Sequence, residues 1–96
     1  MIVKSYLKTK NTWKIKFSYK PENATSVEIL GLQGDWNTAI AMQKKKDGTF
    51  SYEISLPKET QHEFKYLVDA TEWVNDPEAD AQVPNTFGTT NSLIAL

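Results

Sequence analysis

Five carboxylates crowd into one stretch of this chain: Asp69, Glu72, Asp76, Glu78 and Asp80. Two carboxylates held across a cleft could act as acid and base on a glycosidic bond. That chemistry needs a cleft that raises the pKa of one partner, and a single thin domain has little room for one. The same groups could ligate calcium, which takes several oxygens. However, Asp76-Pro77-Glu78-Ala79-Asp80 lacks the spacing of an EF-hand loop, and it reads as a solvated loop in which Asp76 caps a turn. His62 is the only histidine. No nucleophile motif lies beside it, and it reads as a surface residue at the start of a strand. Catalysis is therefore not expected, and neither is a metal or other cofactor.

Composition narrows the field further. There is no cysteine, which excludes disulfides, Cys-based zinc sites and thiol catalysis. All eleven basic residues are lysine, and the formal net charge is −1. Arginine is the usual residue for bidentate phosphate and base-edge contacts, so nucleic acid is not an expected partner. No segment has the continuous apolar run of a signal peptide or a membrane span. No membrane partner and a cytoplasmic location are the resulting expectations.

The tryptophans carry more information. Trp13 lies on the apolar face of an alternating run and is expected in the core. Trp36 sits in GLQGDWNT, among glycines and turn-forming polar residues. Trp73 sits in TEWVND, just before a long polar segment. Each could fold back as a lid over the end of the domain. Alternatively they form a platform for a ligand with apolar faces and polar edges, such as a sugar. Trp offers a large rigid surface at low entropic cost. Lys65, with three donors, and Asn91, with donors and an acceptor, could then fix orientation.

These residues must be positioned by strands. Trp13–Tyr19, Phe50–Leu56 and Phe64–Val68 alternate apolar and polar residues with a period of two, the signature of half-buried strands. Ser26–Leu30 is a short apolar run suited to burial on both faces, Ser92–Leu96 reads as a final strand, and Ile2–Leu7 is ambiguous. Asp47–Gly48 suits a type I′ hairpin. Pro21–Thr25 and Pro57–Gln61 are connectors, and Asn75–Gly88 reads as one long irregular segment. About seven short antiparallel strands with frequent turns predict an all-β, immunoglobulin-like sandwich, with residues 1–96 forming a single domain.

Five pieces, in this order, resemble carbohydrate-binding module family 48: GLQGDWN, KKKDGTFSYEISLP, HEFKYLVD, EWVNDPEAD and VPNTFGTTNS. The resemblance runs from about Trp13 to Leu96. That family includes the glycogen-binding domain of the AMP-activated protein kinase β subunit. It also includes the early-set domains that precede the barrel of isoamylases and branching enzymes. The chain length is similar to that of small stand-alone bacterial members. The resemblance implies an early-set, immunoglobulin-like sandwich that binds α-1,4-glucans such as glycogen, starch or maltodextrin. It implies Trp36 and Trp73 as sugar-stacking residues and Lys65 as a polar contact. Phe87 stands where the family has a leucine finger, with Thr89 and Asn91 as hydrogen-bond partners. The alternative is a module that docks on a glucan-processing enzyme, with the tryptophans as interface anchors.

Overall fold

The computed structural model describes residues 1–96 and contains no α-helix. Ten strands form two antiparallel sheets, an immunoglobulin-like β-sandwich. Seven of the strands are four residues or longer: β1 (Ile2–Leu7), β2 (Thr12–Tyr19), β3 (Val27–Leu30), β6 (Phe50–Pro57), β7 (Gln61–Val68), β9 (Ala81–Pro84) and β10 (Thr90–Ala95). The short ones are β4 (Ile40–Ala41), β5 (Gln43–Lys44) and β8 (Glu72–Val74). The first sheet has the order β1-β2-β6-β5. The second runs β4-β3-β7-β10-β9, with β8 added beside β7.

The alternating runs behave as their pattern demands. In β2, Ile15 and Phe17 are buried while Lys14 and Lys16 face solvent. In β7, Phe64, Tyr66 and Val68 face inward. Both sheets contribute to one core, in which the Phe17 and Phe64 rings meet edge to face at 4.9 Å and Tyr19 stacks on Tyr66 at 5.2 Å. Burial of this apolar area is the main favourable term of folding. Trp13 lies at the margin of the core, half-buried, with its ring 5.1 Å from that of Tyr6. Ile2–Leu7 is a strand because its full length pairs with β2, from Ile2 opposite Phe17 to Leu7 opposite Thr12.

Two local expectations are corrected. Asp47 does not take the positive φ of a type I′ turn; only Gly48 does, at 90°. Gly48 N–H bonds to Lys45 O, and Lys45 N–H to Thr49 O. The loop is thus three residues long, a form that needs one left-handed residue at its end rather than two in the middle. The Asp47 carboxylate accepts the Thr49 amide at 2.9 Å instead. Second, Asn75–Gly88 is not irregular throughout, because Ala81–Pro84 pairs with Thr90–Leu93 as β9.

That segment is held from below by a buried polar network. Asp76, expected in a solvated loop, is 1% exposed. Its carboxylate accepts a 2.7 Å hydrogen bond from the Tyr66 hydroxyl and one from the Glu78 amide at 2.8 Å, so it does cap a turn. Its own amide donates to Ser92 Oγ, and its carbonyl accepts from Gln82 Nε2. Ser92 Oγ donates to Asn75 Oδ1, while Asn75 Nδ2 donates to the Thr90 carbonyl. Burial, with Asp76 as acceptor, pushes the Tyr66 hydroxyl far above its ordinary pKa. Removing the Tyr66 hydroxyl would leave a buried carboxylate short of a donor, which costs about 1–3 kcal/mol. Tyr66→Phe is therefore expected to lower unfolding free energy by about that amount in urea titration. Tyr52→Phe, at a half-buried position on β6, is expected to stay within about 0.5 kcal/mol.

Candidate carbohydrate-binding groove

An open groove of about 660 Å³ lies on the second sheet, lined by Trp36, Lys65, Trp73, Asn85, Thr86, Phe87, Thr89 and Asn91. All six residues singled out in the sequence, Trp36, Lys65, Trp73, Phe87, Thr89 and Asn91, meet there. Trp36 is 38% exposed, Trp73 49% and Phe87 88%. The two tryptophans thus present surface to one cavity and are not lids over the core.

The Trp36 wall is a closed loop. Gly31 N–H bonds to Asp35 O, and Gly34 N–H bonds back to Gly31 O around a short 3₁₀ turn at Leu32–Gly34. Leu32 is buried and anchors it. The Asp35 carboxylate accepts the amides of Asn37 and Thr38, at 3.0 and 3.1 Å. These bonds hold its pKa below the ordinary 3.8, the Asn37 amide foremost. Gly31 is required twice over. Its φ is +101°, and a Cβ there would lie 2.5 Å from the Trp36 indole and 2.7 Å from the Glu63 carbonyl. The indole edge therefore rests on bare backbone, which sets the tilt of the ring.

His62 supports the same loop. Its Nδ1 accepts the Gln33 amide at 3.3 Å, and its Nε2 lies 2.9 Å from Thr60 Oγ1. The Thr60 hydroxyl donates to Pro57 O, so the proton between them belongs to His62 Nε2. The imidazole is neutral in this arrangement, and it is a half-buried brace rather than a surface residue. Burial holds its pKa below 6.5.

Trp73 stands on β8, opposite Leu67 of β7, where the sequence offered no strand. The preceding turn places Asp69 and Ala70 at φ of 51° and 60°. This conformation disfavours side chains other than Gly, Asn and Asp. The Asp69 carboxylate compensates by accepting the amides of Thr25 and Ser26 at 2.8 and 2.9 Å. The acidic stretch is therefore no cluster: Asp69 faces these amides, Asp76 faces Tyr66, and Asp80 bonds Lys4 at 2.6 Å.

The third wall is the β9–β10 loop, with Phe87 at its tip. Asn85, not anticipated from the sequence, organises it. Asn85 Oδ1 accepts the amides of Phe87 and Thr89, while Nδ2 donates to Thr89 Oγ1 and Asn91 Oδ1. The available signal was Asn85 itself, since Asn commonly bonds backbone two residues on in a turn. Thr86 was also missed; it follows Asn85 in the same loop. Asn91 Nδ2 donates to Glu63 Oε1 at 3.1 Å, and the nearly buried Lys65 ammonium lies 3.4 Å from Thr89 Oγ1. The polar groups between the rings are thus held by protein partners before any ligand arrives. None of the eight lining side chains is a carboxylate.

An all-β sandwich with aromatic walls and fixed polar groups between them is the build of a carbohydrate-binding module. The chain belongs to the family described as the glycogen recognition site of AMP-activated protein kinase, whose model matches residues 13–96. Among known proteins it is similar to starch-binding domain-containing protein 1 of Rattus norvegicus, with 30% identity over 69 residues. That match takes in 62% of this chain and 21% of the relative. The Homo sapiens protein of the same name is 32% identical over 60 residues, 56% of this chain and 17% of its own length. The chain thus spans about a fifth of the length of these curated relatives.

Two outcomes test the support of the Trp36 loop. Gly31→Ala is expected to lower the urea midpoint by more than about 1 kcal/mol equivalent, because both backbone and indole must shift. For His62, the folded state holds the imidazole below its ordinary pKa, so the unfolded chain takes up the proton first. Its contribution is full above 6.5 and is lost as pH falls through the depressed folded value. The wild type should therefore lose more stability than His62→Gln on acidification below 6.5, as read by denaturation midpoints across pH.

Proposed function

We propose that the chain is a non-catalytic module that binds α-1,4-glucans such as glycogen, starch or maltodextrin. Trp36 and Trp73 are the stacking platforms, and Phe87 is an apolar finger at the mouth of the groove. Lys65, Thr89 and Asn91 bond the hydroxyl edge of the sugar. The observation that carries this reading is the convergence of these six side chains on one open groove in a chain of the glycogen-recognition family. The relatives' name, starch-binding domain-containing protein, points to the same ligand class.

The chemistry suits that class. A glucose ring offers apolar C–H faces to an indole and hydroxyls to its rim. Stacking supplies most of the affinity, because hydrogen bonds exchanged with water add about 0.5–1.5 kcal/mol each. A shallow groove with two indoles corresponds to a Kd of roughly 10 μM to 1 mM, about −7 to −4 kcal/mol. Many such sites along a branched polymer would raise apparent affinity without new contacts. A groove lined without carboxylates supports binding rather than hydrolysis.

Isothermal titration with maltoheptaose tests the proposal. Wild type is expected to bind within the stated range, and Trp36→Ala at least about tenfold more weakly, as for a truncated aromatic anchor. Asn85→Ala is expected to weaken binding about threefold to tenfold, through the loop it organises, while circular dichroism stays native. No heat from the folded wild type up to tens of millimolar sugar would overturn glucan binding by this chain.

A further inference from the structure

The net charge of −1 conceals a strong division between the two sheets. Residues 1–20 and 43–58, the strands and turns of the first sheet, hold ten lysines against Asp47 and Glu53, a formal +8. The rest of the chain holds Lys65 against ten carboxylates, a formal −9.

The two sides also differ in how their charges are used. Many carboxylates of the second side are consumed by the fold: Asp35 and Asp69 hold backbone amides, Asp76 holds Tyr66, Glu63 holds Asn91 and Asp80 holds Lys4. The lysines are not. Lys4 and Lys14 have carboxylate partners, Lys44 bonds a carbonyl beside the Phe50 ring, and Lys65 is in the groove. The other seven, from Lys8 and Lys10 to Lys45 and Lys46, have no carboxylate within 4.0 Å. Lys16 projects outward from β2 between the buried Ile15 and Phe17. With Lys45 it borders a shallow depression of about 310 Å³ that also contains Gln43, Ser51 and Glu53.

We infer that the outer face of the first sheet docks an acidic polypeptide, an Asp- and Glu-rich segment of a partner protein. The groove on the opposite sheet stays open to its own ligand. Lysine is a compact point charge that pairs with single carboxylates without the planar fork that phosphate or base recognition favours. Single-stranded nucleic acid would also want a row of aromatic platforms; the exposed aromatic of this sheet is Tyr6, tilted against Trp13 with its hydroxyl on Asn11, whereas Trp36, Trp73 and Phe87 line the groove of the other sheet. A bilayer would want an inserted apolar face, whereas the large aliphatic side chains exposed here are Met1 and Val3, at the β1 end. A second copy, whose own second side is acidic, would bring the same charge complement and is told apart from a separate partner by its dimerisation. Uncompensated positive charge on the strands and turns of one sheet also steers an oppositely charged partner to that side.

The test uses the whole chain and a fluorescein-labelled oligoglutamate peptide of about ten residues, followed by anisotropy at ~0.1 M and ~1 M NaCl, where the Debye length falls from about 10 Å to 3 Å. One-to-one binding at low salt, weakened at least about tenfold at high salt, is expected. The double variant Lys16→Glu/Lys45→Glu should bind about tenfold more weakly at low salt, with an unchanged thermal midpoint as the check on folding. No binding at ~0.1 M salt, or equal binding by the double variant, would overturn the inference. So would tighter binding of oligo(dT) or phosphatidylserine vesicles, or salt-dependent dimerisation in sedimentation. Maltoheptaose titration is independent of all these readings, so failure of glucan binding is distinguishable from failure of this face.

Discussion

The hydrogen bond from Tyr66 to Asp76 is the constraint on which the groove depends. It joins the central strand of the second sheet to the segment between β8 and β9. The outer edge of β7 is shared: His62, Glu63 and Phe64 pair with β10, while Tyr66 and Leu67 pair with β8. The chain must cross from one partner to the other, and Asp76 lies within that crossing. Through Ser92 and Gln82 the same residue reaches β10 and β9. One buried aspartate, through its carboxylate to Tyr66 and its backbone groups to Ser92 and Gln82, thus ties the strand that carries Trp73 to the hairpin that carries Phe87. A buried polar network of this kind is costly when half satisfied and rigid when complete.

Around this frame, the walls are stiffened by short-range devices. Asp35, Asp69 and Asn85 each turn a side-chain oxygen onto two backbone amides. Each satisfies donors that a turn would otherwise expose to solvent and fixes the loop in one conformation. The loops that carry the rings are therefore held in one conformation in the free chain, which would leave little loop-ordering cost for a ligand bound there.

Much of the fold was legible because alternation reports a half-buried strand directly. Trp13–Tyr19, Phe50–Leu56 and Phe64–Val68 all lie within strands. The groove residues were legible for a different reason: Trp36 and Trp73 are conspicuous among turn-forming polar residues, Lys65 and Asn91 offered polar groups to such a platform, and the family resemblance added Phe87 and Thr89. What escaped depends on partners distant in sequence. Asp76, between Asn75 and Pro77, reads as solvated until Tyr66 is placed beneath it. Ala81–Pro84 is too short and too polar to announce a strand, and it becomes one by pairing with β10. Asn85 spends its side chain on its own loop, which no apolar pattern records. The charge division is invisible along the chain because topology, not sequence order, gathers residues 1–20 and 43–58 into one sheet.

The placement of the three tryptophans has an optical consequence. Two indoles are already partly in water in the native state, and the third is half-buried at the core margin. Native emission should therefore be red-shifted for a folded domain, and unfolding should move it little. The tryptophan emission of this chain thus describes the groove more than the core. A sugar lying on Trp36 or Trp73 would shield the chromophores from quenchers such as acrylamide, so occupancy can be read without any label.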